Sequence, residues 1–216
     1  MKKITLIITA VFVSAMLLAQ TNATTIETDI SNVSEPVFLG APNDAGFNEF
    51  LLDNILYPEI GEKYGQEGTV VIRFDVLPSG KLSEFRTINS VCAEYDEAVI
   101  STLKASEGMW TPGTIDNNPV VRQREVHVAF MMEGNAMYRS AQDYANRAKN
   151  RFDKGNYKRA LSLYNKAIVL VPNNAETLYQ RALAKYYSGD LDGALLDLER
   201  IDELGSELAH QFINQL

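Results

Sequence analysis

Five positions in the last third of the chain return at a single spacing. Gly155 recurs as Gly189, Ala148 as Ala182, Ala160 as Ala194, Tyr164 as Leu198 and Ala167 as Ile201, always 34 residues on. Recurrence at a period of this size marks stacked units, each of which buries its apolar face only against its neighbours. The recurring residues are small or apolar and fall at helical spacing within each unit. Alanine at such positions lets two antiparallel helices approach closely. Gly155-Asn156 and Gly189-Asp190 punctuate the pattern as turns. The reading is two helix pairs, over 141–174 and 175–208. Pro172 closes the first pair, and Asn173 with Glu176 resembles a capping pair opening the next helix. A last helix over 207–216, with Leu208, Phe212 and Leu216 on one face, reads as a cap. Two units are few where about three are needed to bury a continuous core. The cap, or contacts with the rest of the chain, must supply the missing surface.

This tail resembles the tetratricopeptide (TPR) repeat. In such a stack the first helix of each unit lines a concave wall. Counted by helical position, that wall holds Gln142, Ala145, Lys149 and Phe152 from the first unit, and Tyr179, Leu183, Tyr186 and Tyr187 from the second. Rings with a polar tip are good anchors for a bound peptide, although some of them also suit packing against the cap. Some TPR families grip a partner's terminal carboxylate with a basic clamp. Lys149 and Asn146 are not placed as that clamp requires.

Ahead of the tail, from about Val37 to Glu133, the pattern is mixed. Phe47, Phe50, Leu51 and Ile55 make one apolar helix face, ended near Tyr57 by Pro58. TVVIRFDV, residues 69–76, alternates as a half-buried strand. Leu77-Pro78-Ser79-Gly80 fits a type I turn with a glycine exit. In the return strand Leu82, Phe85 and Ile88 slip in phase by one, which predicts a bulge. A helix over about 93–106 presents Tyr95, Ala98, Val99 and Leu103. A turn at 116–119 leads to a strand over 120–132 with Val126, Val128 and Phe130 inward. The order predicts an α+β domain over 37–135, with a small antiparallel sheet and two helices, then an all-α solenoid over 138–216. Trp110 reads as a core plug with a bonded indole.

The mixed segment resembles the C-terminal domain of TonB-type energy transducers. The residues that carry the resemblance are Tyr57-Pro58, Gly68-Thr69-Val70-Val71, Gly80-Lys81-Leu82, Trp110-Thr111-Pro112-Gly113 and Asn118-Pro119-Val120. The resemblance implies that an extended segment of an outer-membrane receptor can add beside the last strand through backbone hydrogen bonds. Val121, Gln123, Glu125 and His127 are then its outward side chains.

Lys2 and Lys3 precede an apolar run from Ile4 to Ala19, too short for the ~20 residues of a typical membrane span. Residues 1–19 therefore read as a secretory signal, with an uncleaved inner-membrane anchor as the alternative, and 20–36 as a polar, disordered spacer. The formal net charge of −8 argues against nucleic acid as a partner. Cys92 is the single cysteine, so no intrachain disulfide is possible. His127 and His210 are isolated, and no hydrolase, nucleotide-binding, metal or other cofactor motif is present. The chain reads as a non-enzymatic, exported periplasmic protein that binds a protein or peptide. The partner would be an outer-membrane receptor segment or an envelope complex, with homodimerisation through Cys92 or an open edge as a further route. The alternative is a TonB-type transducer for transport across the outer membrane. Transducers of that type carry a permanent membrane helix and a long proline-rich spacer, whereas Pro36 is the one proline of this spacer.

Overall fold

The computed structural model describes residues 4–11, 32–39, 44–132 and 136–213. Its first part is a four-stranded antiparallel sheet. The strands are β1 (Ile4–Val11), β4 (Gly68–Val76), β5 (Leu82–Asn89) and β9 (Arg122–Met132), in the order β1-β9-β4-β5. Three helices accompany it: α1 (Ala45–Asn54), α2 (Glu59–Tyr64) and α3 (Ala93–Ala105). Two small sheets complete the domain. β2 (Val33–Ser34) pairs with β7 (Thr114–Ile115), which also pairs with β8 (Asn118–Pro119), and β3 (Val37–Phe38) pairs with β6 (Trp110–Thr111).

Alternation in β4 and β9 builds the core. Val70, Ile72, Phe74 and Val76 meet Val126, Val128 and Phe130, all fully buried, beneath Phe47, Leu51, Tyr95, Val99 and Leu103 of the helices. Each such side chain contributes roughly 2 kcal/mol of burial. Trp110 closes one end: its indole donates to Ser106 Oγ at 3.0 Å, and it packs edge-on against Phe47 and Phe74. Its carbonyl crowds Gly80, where a Cβ would lie 2.5 Å away, so the turn at φ +76° admits only glycine. The predicted bulge is present, as breaks in the β4–β5 register at Val71/Ile72 and Arg73/Asp75. Asp116 and Asn117, both at positive φ, form the two-residue turn between β7 and β8.

Five helices follow: α4 (Ala136–Asp153), α5 (Tyr157–Leu170), α6 (Ala175–Ser188), α7 (Leu191–Glu203) and the short α8 (Leu208–Ile213). The recurring residues are buried in both units: Ala148 and Ala182, Ala160 and Ala194, Tyr164 and Leu198, Ala167 and Ile201. Gly155 and Gly189 sit at φ +71° and +88°, and the next residue caps each second helix. Asn156 accepts from Arg159 N–H, and Asp190 from Gly193 N–H. The cap is partly as expected, since Phe212 is buried against Tyr179 and Tyr186. Leu216 lies outside the described residues.

Four features differ from the sequence reading. The helix opening the second unit is capped by Asn174, which accepts from Thr177 N–H at 2.8 Å, because Asn173 is engaged with the sheet. EIGEKY forms the extra helix α2, started by Pro58 and stopped by Gly65 in the left-handed region. Val33–Ser34, within the stretch read as spacer, is pinned to β7; residues 20–31 lie outside the described residues. Of the stretch read as a signal, Ile4–Val11 stands here as β1.

Candidate protein-interaction site

The two flanks of β4 are not equivalent. β5 is broken by the bulge and carries Glu84 and Arg86 outward, with Glu84 at φ +52°, which blunts its free edge. β9 is regular for 11 residues and pairs with β4 from Gly68↔Phe130 to Val76↔Arg122 without a break. On its other side it accepts β1 antiparallel, from Ile4↔Met132 to Val11↔Glu125. The edge named by sequence is paired here with β1, a segment of the same chain.

The four predicted edge side chains separate. Val121 is half exposed, just before the strand, and Gln123 is partly buried with its amide toward Asp75. Glu125 and His127 are not outward-facing in the sense expected: they are 1% and 6% exposed. The helical tail covers this face of the sheet, and the two side chains are consumed in that contact. Glu125 accepts from Arg73 at 2.9 Å, from Arg200 of α7 at 2.6 and 3.0 Å, and from His127 Nε2 at 2.6 Å. Arg73 and Arg200 also reach Glu203. Asn173 Nδ2 lies 3.1 Å from His127 Nδ1, and Arg200 donates to its Oδ1. An amide nitrogen only donates, so Nδ1 accepts and Nε2 carries the proton given to Glu125. Burial pushes the Glu125 carboxyl up, but hydrogen bonds from His127 and Arg200 override it and hold the group down at about 2. Thr69 Oγ1 donates to the Leu170 carbonyl at 2.8 Å, and Asn89 spans the Thr69 and Val169 carbonyls. Sequence could not pair Glu125 with Arg200, because the contact joins positions 75 apart.

The eight residues expected on the concave wall also separate. Gln142, Ala145 and Lys149 of α4 line a hollow of about 180 Å³ with Glu176, Thr177 and Gln180 of α6. Phe152 and Tyr187 join Tyr157 in one ring cluster, with Tyr157 and Tyr187 stacked at 5.6 Å. Tyr187 stays 57% exposed. Tyr179, Leu183 and Tyr186 belong to the core shared with α8, so the cap covers them. The wall is therefore shorter and more polar than the spacing implied. Cys92 occupies the N-cap position of α3, half-buried against the core, and burial pushes its thiol up.

Against known families, residues 53–132 match the Gram-negative bacterial TonB protein C-terminal, and residues 148–189 match the TPR repeat. The chain carries a TonB C-terminal domain fused to TPR repeats. No curated protein matches it. The TonB C-terminal match ends at Met132, the last residue of β9, and the TPR match runs from mid-α4 to Gly189. Both families are protein-interaction domains, so the chain has a protein-binding, TonB-like role in general. The bonds between Glu125, His127, Arg200 and Asn173 join the TonB C-terminal sheet to the TPR helices.

Proposed function

We propose that this chain is a non-enzymatic protein of the Gram-negative envelope that holds an extended protein segment by strand addition beside β9. The hollow between α4 and α6, lined by Gln142, Lys149 and Gln180, offers a second contact. The observation that carries this reading is the β1–β9 ladder: the edge accepts an antiparallel strand over eight residues. Backbone groups supply the affinity in such an arrangement, and side-chain pockets supply the selectivity. A leader that is removed on export would leave this edge free for a partner. No described helix is long and apolar enough to cross a membrane.

Two measurements test the reading. Amino-terminal sequencing of the chain from the envelope fraction should find a start at Gln20 or Thr24; Met1 retained in the inner-membrane fraction would favour an anchored energy transducer instead. A photo-cross-linker at Val121, beside the acceptor edge, should trap an extended segment of a partner in intact cells. One at Ile88, on the blunted edge of β5, should not. Equal capture at both positions, or none at Val121, removes strand addition as the mode of binding.

A further inference from the structure

The sheet's outer face is not open to water beside β9. Glu125, His127, Ala129 and Met131 alternate on that face, and the TPR helices stand over them. Ala129 and Met131 pack with Met137 and Leu170, and His127 is bonded to Asn173. A cleft of about 180 Å³ remains there, lined by His127, Ala129, Tyr138, Val171, Pro172 and Asn173. Tyr138 is 54% exposed, so the cleft has an outer lip. On the opposite face Val126, Val128 and Phe130 point into the fully buried core, and α1 lies against β1 on that side.

We propose that the strand acceptor is a composite cleft, in which a segment added beside β9 runs between the core helices on one face and the first TPR unit on the other. This rests on the strand-addition reading and names what that edge selects. Directly opposed residues of an antiparallel pair share a face. The position of the added strand opposite Ala129 therefore lies on the TPR side, beside Tyr138 and Pro172. Those opposite Val128 and Phe130 lie on the core side. The partner segment is accordingly extended, antiparallel to β9 and uncharged on both faces. Residues 4–11, ITLIITAV, show the chemistry the edge takes: no charge, and six β-branched residues of eight. A cation opposite Ala129 would lose water without gaining a partner, since the nearby Glu125 carboxylate already accepts from Arg73, Arg200 and His127. A bare sheet would expose that position to solvent and tolerate charge there.

The test uses the full-length chain with Leu6→Asp and Ile8→Asp. Those positions stand opposite Phe130 and Val128, both fully buried, so the changes release β1 and free the edge. Ile7→Pro is a second route to the same state, since proline removes a ladder N–H from β1 alone. Three fluorescent peptides, flanked by lysines for solubility, are titrated by anisotropy: the sequence of residues 4–11, the same with lysine opposite Ala129, and the same with lysine opposite Val128. The first should bind and both lysine peptides should bind at least tenfold more weakly. Adding Tyr138→Ala to the protein should restore at least threefold to the second peptide and nothing to the third. If no peptide binds either freed chain, strand addition itself fails. If the first and second bind alike, strand addition stands and the composite cleft is overturned. A loss at the second peptide that Tyr138→Ala does not relieve also overturns it, because strand propensity alone would then explain the loss.

Discussion

Glu125 on β9 and Arg200 on α7 face each other across the domain boundary, with Arg200 donating to both carboxylate oxygens at 2.6 and 3.0 Å. The Glu125 side chain is dry, and Arg200 is nearly so. Arg73 holds the same carboxylate from the neighbouring strand and continues to Glu203. The carboxylate is therefore shared between the sheet and the repeats, and neither part satisfies it alone.

Removing that carboxylate should uncouple the two parts. Glu125→Ala leaves two guanidinium groups in a nearly closed contact, and breaking a buried pair from one side typically costs about 3–5 kcal/mol. Trp110, the single tryptophan, lies in the TonB C-terminal core. Its fluorescence reports that domain, while far-ultraviolet circular dichroism is dominated by the TPR helices. The two urea transitions should coincide in the natural chain and separate in Glu125→Ala. Coincident transitions at an unchanged midpoint would show that the cluster contributes nothing to docking.

The same group sets a pH dependence. Its folded-state value of about 2 lies below the ordinary carboxylate value of 4.5. A depressed value means stability present above the unfolded value and lost as pH falls through the folded one. The difference corresponds to on the order of 3 kcal/mol, delivered in full above about pH 5 and lost progressively toward pH 2. Burial pushes Glu203 up too, but bonds from Arg73 and Arg200 bring it below its ordinary value, so it acts in the same direction. Melting temperature should fall between pH 6 and 3 in the natural chain, and fall less steeply in Glu125→Gln. Parallel curves would exclude Glu125 as the source.

Tyr164 is the buried residue at the centre of the first TPR pair, where its repeat counterpart is Leu198. Its hydroxyl has no hydrogen-bond partner among the described residues, and burial pushes its ionisation up to about 12. A buried hydroxyl left unsatisfied carries its desolvation cost uncompensated, on the order of 1–3 kcal/mol. Tyr164→Phe should leave thermal stability unchanged or raise it, whereas Tyr164→Ala should lower it by about 3–5 kcal/mol. A clear loss in Tyr164→Phe would reveal a bond to that hydroxyl.

The elements legible in the sequence were those whose signal is local. The 34-residue recurrence located the helix pairs because the same packing problem is solved twice by small residues at fixed intervals. Alternation in 69–76 and the phase slip after Leu82 gave the hairpin and its bulge. The partner wall was less legible. Helical position places Tyr179, Leu183 and Tyr186 on one face, but only the fold shows that α8 lies on it. Glu125 and His127 alternate as outward residues should; what covers them comes from more than 40 positions away. Asn173 reads as a helix cap from its neighbours, and it lost that role to Asn174 through bonds to His127 and Arg200. In each case the sequence states which way a side chain points and leaves open what meets it.

Two repeat units end in α8, and that helix should be indispensable to them. Phe212 is 3% exposed and packs edge-on against Tyr179 and Tyr186, with Ala209 and Leu208 beside it. Without it, the apolar side of α6 would face water, the condition a terminal cap exists to prevent. Phe212→Ala should cost about 3–5 kcal/mol. Deleting residues 207–216 should cost at least as much and lower the TPR transition while leaving the Trp110-reported transition closer to its natural midpoint. The comparison is informative in both directions, because the Glu125–Arg200 contact is a second source of support for the same helices. If the deletion leaves melting unchanged, docking against the sheet supplies the missing surface. Glu125→Ala and the deletion should then be additive only if the two supports act independently. A loss in the double variant greater than the sum would show that each compensates for the other.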